Sequence, residues 1–101
     1  MARLDAAARL EQLTAAFSAL SHPTRRRILL VIRFRGGAMT AGDIAGRFHC
    51  KWPTISRHLR VLETTGLLVR QREGRQHVYR LSLQSLRRVK EWIRWLEAGR
   101  K

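Results

Sequence analysis

The chain has 101 residues, 21 of them Lys or Arg against 7 Asp or Glu, a formal net charge of +14. Self-repulsion of that size is normally tolerated where a polyanion is the partner, which leaves nucleic acid and anionic membrane as candidates. The longest apolar run, 28–32, falls far short of the roughly 20 residues of a membrane span, and Arg3, Asp5, Arg9 and Glu11 interrupt the alanine-rich start where a signal peptide needs an apolar core.

Eighteen of the 21 cations are arginine, whose planar fork matches phosphate oxygens and guanine edges better than a lysine point charge. A GC-rich genome gives the same bias without functional meaning. The length suits one domain, 1–101, burying about 60 to 65% of its unfolded surface, so self-association is expected to supplement a modest core. One cysteine allows no internal disulfide and points to the cytosol.

Leu10, Leu13, Phe17 and Leu20, spaced three and four apart, predict a first helix over 4–20. Ser21-His22-Pro23 breaks it, and Pro23 suits the first position of a second helix, where its missing N–H costs nothing. That helix carries Ile28, Leu29, Val31 and Ile32 and stops at Gly36-Gly37. Arg25, Arg26 and Arg27 sit in its first turn, where the macrodipole disfavours cations by about 0.3 to 1 kcal/mol each, so solvent or a phosphate is expected beside them.

Thr40-Ala41-Gly42-Asp43 has the form of a capping box opening a short helix over 41–48 that buries Ile44, Ala45 and Phe48. A turn at 49–52 leads to a helix over 53–65 that Pro53 starts and Gly66 ends, and the pair satisfies the helix-turn-helix description. At 100° per residue, Ile55, Leu59 and Leu62 form its buried stripe. Arg57, Arg60 and Thr64 point the other way, Thr54, Ser56 and Val61 flank them, and Lys51 and Trp52 lie at its start. Entering a major groove, such a helix would set Arg57 on guanine or phosphate, Thr54 and Ser56 in short hydrogen bonds, and Lys51 and Arg60 on the backbone. A solvated basic face is the plainer alternative.

The β-forming segment 67–81 predicts a hairpin turning at Glu73-Gly74, which pairs Arg72 with Arg75, Gln71 with Gln76, Arg70 with His77, Val69 with Val78 and Leu68 with Tyr79. Like charges set opposite one another make sense if a phosphate backbone or minor groove lies across Arg70, Arg72, Arg75 and His77. Basic tips also serve solubility. A last helix over 83–98 places Leu86, Val89, Ile93 and Leu96 on one face, with Trp92 at its edge. Aromatics are enriched at interfaces, so this helix is expected to pair two subunits together with Leu10, Leu13 and Phe17 of the first; the competing expectation is that it folds back on its own core.

The chain resembles the ArsR-like family of winged-helix bacterial repressors over residues 13–82, through Ala19-Leu20-Ser21-His22-Pro23-Thr24-Arg25-Arg26-Arg27-Ile28-Leu29, Pro53-Thr54-Ile55-Ser56-Arg57-His58-Leu59-Arg60-Val61-Leu62, Gly66-Leu67-Leu68 and Tyr79-Arg80-Leu81. The resemblance implies a mainly α fold with a small β-hairpin wing, dimerised through its N- and C-terminal helices. It implies a cytoplasmic homodimer that binds double-stranded DNA at an inverted-repeat operator near its own promoter, with contacts at Trp52, Thr54, Ser56 and Arg57. Lys51 and Trp52 stand where many members have Ser and Gln, so a Ser N-cap is lost.

Metal-sensing members carry a Cys-x-Cys pair near the helix-turn-helix, or Asp, His and Glu ligands on the terminal helix. This chain has no Cys or His over 38–48 and none from 83 onward. No metal and no cofactor are expected. His22, His49, His58 and His77 fall one per element, and adjacent His49 and Cys50 lack zinc-pair spacing. Cys50 is expected to be buried as a small hydrophobe, and His58 to lie at the core boundary. Asp5 and Asp43 lie in different elements and no nucleophile triad converges, so an enzyme is not expected. The rivals to a sequence-specific regulator are a nonspecific architectural DNA- or RNA-binding protein and a protein-interaction winged helix.

Overall fold

In the computed structural model, backbone is described for residues 2–98 and side chains for 6–98. The elements run α1 (Ala2–Leu20), α2 (Pro23–Phe34), β1 (Ala38–Thr40), α3 (Ala41–Ala45), α4 (Trp52–Thr64), β2 (Leu68–Glu73), β3 (Gln76–Leu81) and α5 (Leu83–Ala98). The core joins Ile28 and Ile32 of α2, Ile44 of α3, and Ile55, Leu59 and Leu62 of α4 to Leu67 and Leu68 at the foot of the hairpin, all sealed from solvent. Each such side chain contributes about 1.5 to 3 kcal/mol by leaving water. The fold is mainly helical with a small antiparallel sheet, as expected.

The helix ends follow local chemistry. Thr40 caps α3, its Oγ1 accepting from Asp43 N at 3.1 Å. Gly66, with φ +82°, closes α4: its N–H donates to the Glu63 carbonyl at 3.1 Å and that of Leu67 to the Leu62 carbonyl at 2.9 Å, the paired bonds of a Schellman end. A Cβ there would meet Ser85 Oγ at 2.9 Å, so a larger residue would have to displace that hydroxyl as well as adopt the positive φ. α3 stops at Ala45, three residues early. Gly46 weakens the helix, and Arg47 and Phe48 make tighter turn bonds to the Ile44 and Ala45 carbonyls instead.

The sheet has the order β1-β3-β2. β1 was not expected: it is three residues long, pairs Met39 with Tyr79, and offers no periodicity of its own. The hairpin register also differs from expectation. Glu73 faces Gln76, Arg72 faces His77, Arg70 faces Tyr79 and Leu68 faces Leu81, so the loop is Gly74-Arg75. Gly74, with φ +64°, takes the first loop position, where the favoured hairpin turns need a left-handed residue; the expected alignment would have put Glu73 there. The opposed arginine pair at 72 and 75 therefore does not form.

Arg26 is exposed and Arg25 half-buried at the start of α2, and both turn back to α1: Arg25 Nε donates to the Ala19 carbonyl at 2.8 Å and Arg26 Nη1 to that of Leu20 at 2.7 Å. The negative end of α1 offsets the dipole penalty at the N-terminus of α2. Arg27 instead lies over the Phe48 ring, 5.3 Å from its centroid. Among the described residues of α1, Ala16 and Ala19 are the buried positions, where small side chains let the helix approach closely, while Leu10 is 65% exposed.

α5 packs on α1 of the same chain. Phe17 and Trp92 meet edge-to-face at 5.3 Å, and Arg88 Nη1 donates to Gln12 Oε1. Val89 is buried and Leu86 packs against the core, so these two of the residues expected at a subunit interface are taken up by the protomer. Leu10, Trp92 and Trp95 stay exposed around one hollow between α1 and α5, and Ile93 and Leu96 are exposed on α5 as well.

Candidate nucleic-acid interface

α4 is held by Ile55, Leu59 and Leu62, and that fixes what it shows to solvent. Lys51, Trp52, Arg57 and Arg60 are exposed, while Thr54 and Ser56 are half-buried at the flank. Trp52, Pro53, Ser56, Arg57 and Arg60 line one shallow concavity. Lys51 is the N-cap, makes no side-chain cap bond, and is followed by no acidic residue in the first turn. The helix N-terminus thus keeps its positive end uncompensated by a carboxylate, an arrangement that attracts phosphate.

The hairpin extends this surface. Cross-strand partners share a face, so the register puts Arg70, Arg72 and His77 on the side that carries Leu68 and Tyr79 inward to the core. Beyond the core that side remains basic. Arg70 Nε reaches Glu63 Oε2 of α4 at 3.4 Å, tying the hairpin to the end of the helix, and Arg72 Nε donates to the Gly74 carbonyl at 3.1 Å, bracing the loop. Arg75 is exposed at the tip. The opposite side is internally compensated: Arg80 donates to Gln71 Oε1 at 2.9 Å and to Glu73 Oε2 at 3.0 Å. The Glu63–Arg70 pair is the link between the end of α4 and the basic side of the hairpin.

Behind α4 lies a cluster that the sequence reading missed. His22 and His58, expected in isolation, have ring centroids 4.4 Å apart, and Arg25 Nη1 lies 3.5 Å from His58 Nδ1. His22 serves as N-cap of α2, its Nδ1 accepting from Thr24 N at 3.1 Å. Burial, reinforced by His22, Arg25 and Arg57, holds the His58 pKa below its usual 6.5. His58 is half-buried, at the core boundary as expected. No sequence spacing links residues 22, 25 and 58; only the crossing of α2 and α4 brings them together.

Cys50 is exposed rather than buried. The turn between α3 and α4 turns it outward, and Phe48 supplies the apolar contact with the core instead. His49 is exposed beside it. Among the described residues no three His, Cys, Asp or Glu side chains gather as a metal site would require, and no helix is long and apolar enough to cross a membrane.

This geometry has close parallels. A helix-turn-helix domain family matches residues 20–72. The chain is 40% identical over 77 residues to the transcriptional repressor SdpR of Bacillus subtilis, covering 76% of this chain and 83% of that protein. It is 32% identical to the HTH-type transcriptional repressor SmtB of Mycobacterium tuberculosis, covering 78% of this chain but only 53% of that one. Among solved structures, an ArsR-like transcriptional regulator from Rhodococcus sp. RHA1 is 28% identical with a TM-score of 0.76, covering 88% of this chain and 82% of its own. A homodimeric winged helix-turn-helix DNA-binding domain from Mycobacterium bovis, a possible ArsR-family regulator, is 25% identical with a TM-score of 0.71, covering 94% and 87%. With the helix-turn-helix, the basic hairpin and these relatives together, the chain belongs to the ArsR family of winged helix-turn-helix transcriptional regulators.

Proposed function

We propose that the protein is a homodimeric, sequence-specific repressor that binds an inverted-repeat operator, including one near its own promoter. The observation that carries this reading is the set of exposed cations on α4 and the hairpin, Lys51 at the N-cap, Arg57, Arg60, Arg72 and Arg75, with the Glu63–Arg70 pair tying the two elements together. In the complex α4 enters the major groove. Arg57 reads guanine or phosphate, Thr54 and Ser56 make short hydrogen bonds, Trp52 packs against sugar or a thymine methyl, and Lys51 and Arg60 hold the backbone. Arg70, Arg72, Arg75 and His77 follow the flanking backbone or minor groove.

The dimer forms through the apolar surface of α1 and α5, with Leu10, Leu13, Phe17, Trp92, Ile93 and Leu96 at or near the contact. Exposed tryptophan and leucine together favour a partner over water, and the homodimeric relative supports that choice. Two α4 helices then stand about 34 to 36 Å apart, one turn of duplex. In this reading residues 1–101 act as one winged-helix unit in the cytoplasm, with no resident metal, no cofactor and no catalysis.

The test is competitive titration of DNA from the chain's own upstream region against a scrambled duplex. Preference for the native sequence by at least about 10³-fold supports the reading. Equal affinity for both would instead assign a nonspecific architectural role driven by net charge alone.

A further inference from the structure

A leucine-lined hollow on the outer face of α2 is unused by the reading above. Leu29 and Leu30 of α2, Leu20 of α1, Leu81 of β3, and Leu83 and Leu86 of α5 form its walls, and Arg26 and Arg33 border it. Its volume is about 390 Å³, within the range of small-molecule sites. Leu30 and Leu83 are 55% and 52% exposed, so two walls of the hollow stand in water with no apolar cover from the described residues.

The chemistry of the walls restricts the occupant. They are branched aliphatic throughout and offer no aromatic ring for a planar ligand to stack on. Arg26 and Arg33 lie seven residues apart on α2, about 10 Å along one helix face. Arg26 is held by its bond to the Leu20 carbonyl, and Arg33 forms no ion pair among the described residues. A guanidinium with free donors beside an apolar trough matches one carboxylate on a hydrocarbon chain. We propose that this hollow binds a medium-chain aliphatic carboxylate, its tail along the leucines and its head on Arg33.

Decanoate, kept below its micelle concentration, is titrated calorimetrically into the full chain, alongside decylammonium, 1-decanol and anionic lipid vesicles. Saturation at one decanoate per chain is expected, weakened at least about tenfold in Arg33→Gln and in Leu30→Gln and unchanged in Arg47→Gln, which removes the same charge elsewhere. Both altered side chains are exposed, and circular dichroism checks that each variant is folded. Decylammonium binding as tightly as decanoate overturns the proposal, as does an equal loss in Arg47→Gln, which would be a whole-chain charge effect. Binding to vesicles without binding to monomeric decanoate overturns it too, marking a membrane-docking face. No DNA is present, so failure here leaves the operator reading untouched.

Discussion

The imidazole of His58, on the back of α4, lies tilted at 53° against that of His22, the residue that caps α2, with 4.4 Å between ring centroids. Arg25 donates toward the same His58 ring, so a proton placed there meets cationic neighbours on two elements.

Stability should therefore fall in mild acid. The folded state holds the His58 pKa below 6.5, so the unfolded chain takes up its proton first as pH drops. The contribution is whole above the unfolded value and is lost as pH falls through the lower folded one. Thermal unfolding followed from about pH 7.5 to pH 5 should show a shallower decline for His58→Gln than for the parent. Parallel curves would remove His58 as the cause.

Arg57→Ala should cost about 1 to 3 kcal/mol of operator binding and relax base selectivity. Arg75→Ala should weaken all DNA alike and lower the salt slope by about 1. Equal losses on operator and random duplex for both variants would contradict this division between helix and hairpin.

Glu63→Gln removes the only carboxylate bridging α4 and the hairpin among the described residues. Both partners are partly exposed, so stability should change by less than about 1 kcal/mol. Nonspecific DNA affinity should rise, because Arg70 is released from its acid and the surface loses one negative charge. Filter binding to random duplex at two salt concentrations reads this, and an unchanged affinity would count against Arg70 as a phosphate contact.

Gly66→Ala and Gly74→Ala separate backbone strain from crowding. Both residues have positive φ, +82° and +64°, a conformation costing an alanine about 1 to 2 kcal/mol. Only position 66 adds a close approach, to Ser85 Oγ, while nothing lies within 4 Å at 74. Urea denaturation should show the larger loss at 66. A loss at 74 as large as that at 66 would mean that Ser85 yields freely.

Leu96→Arg should shift sedimentation toward monomer and weaken operator binding with little change in helicity. Leu96 is 53% exposed in the protomer, so its replacement leaves the core intact while placing charge in the proposed subunit contact. An unaltered sedimentation profile would move the contact elsewhere.

What the sequence discloses is mostly local. Ile55, Leu59 and Leu62 announce α4 by spacing, Thr40 and Gly66 mark helix ends by chemistry, and the outward set of Arg57 and Arg60 follows from the same periodicity. The remainder depends on meetings between distant segments. β1 exists because Met39 finds Tyr79, and Arg25 settles on the carbonyls of α1 because two helices join at a corner. Glu63 reaches Arg70 only after the chain has turned at Gly66. The hairpin register is a subtler miss, since both alignments place Gly74 in the loop and only the handedness of the turn chooses between them.

The corner between α1 and α2 has a mechanical consequence. Arginines 25 and 26 rivet the start of one helix to the closing carbonyls of the other, so the intervening Ser21-His22 bend cannot act as a loose joint. A displacement of α1 is expected to draw the start of α2 with it, because both guanidinium bonds run to the last two carbonyls of α1.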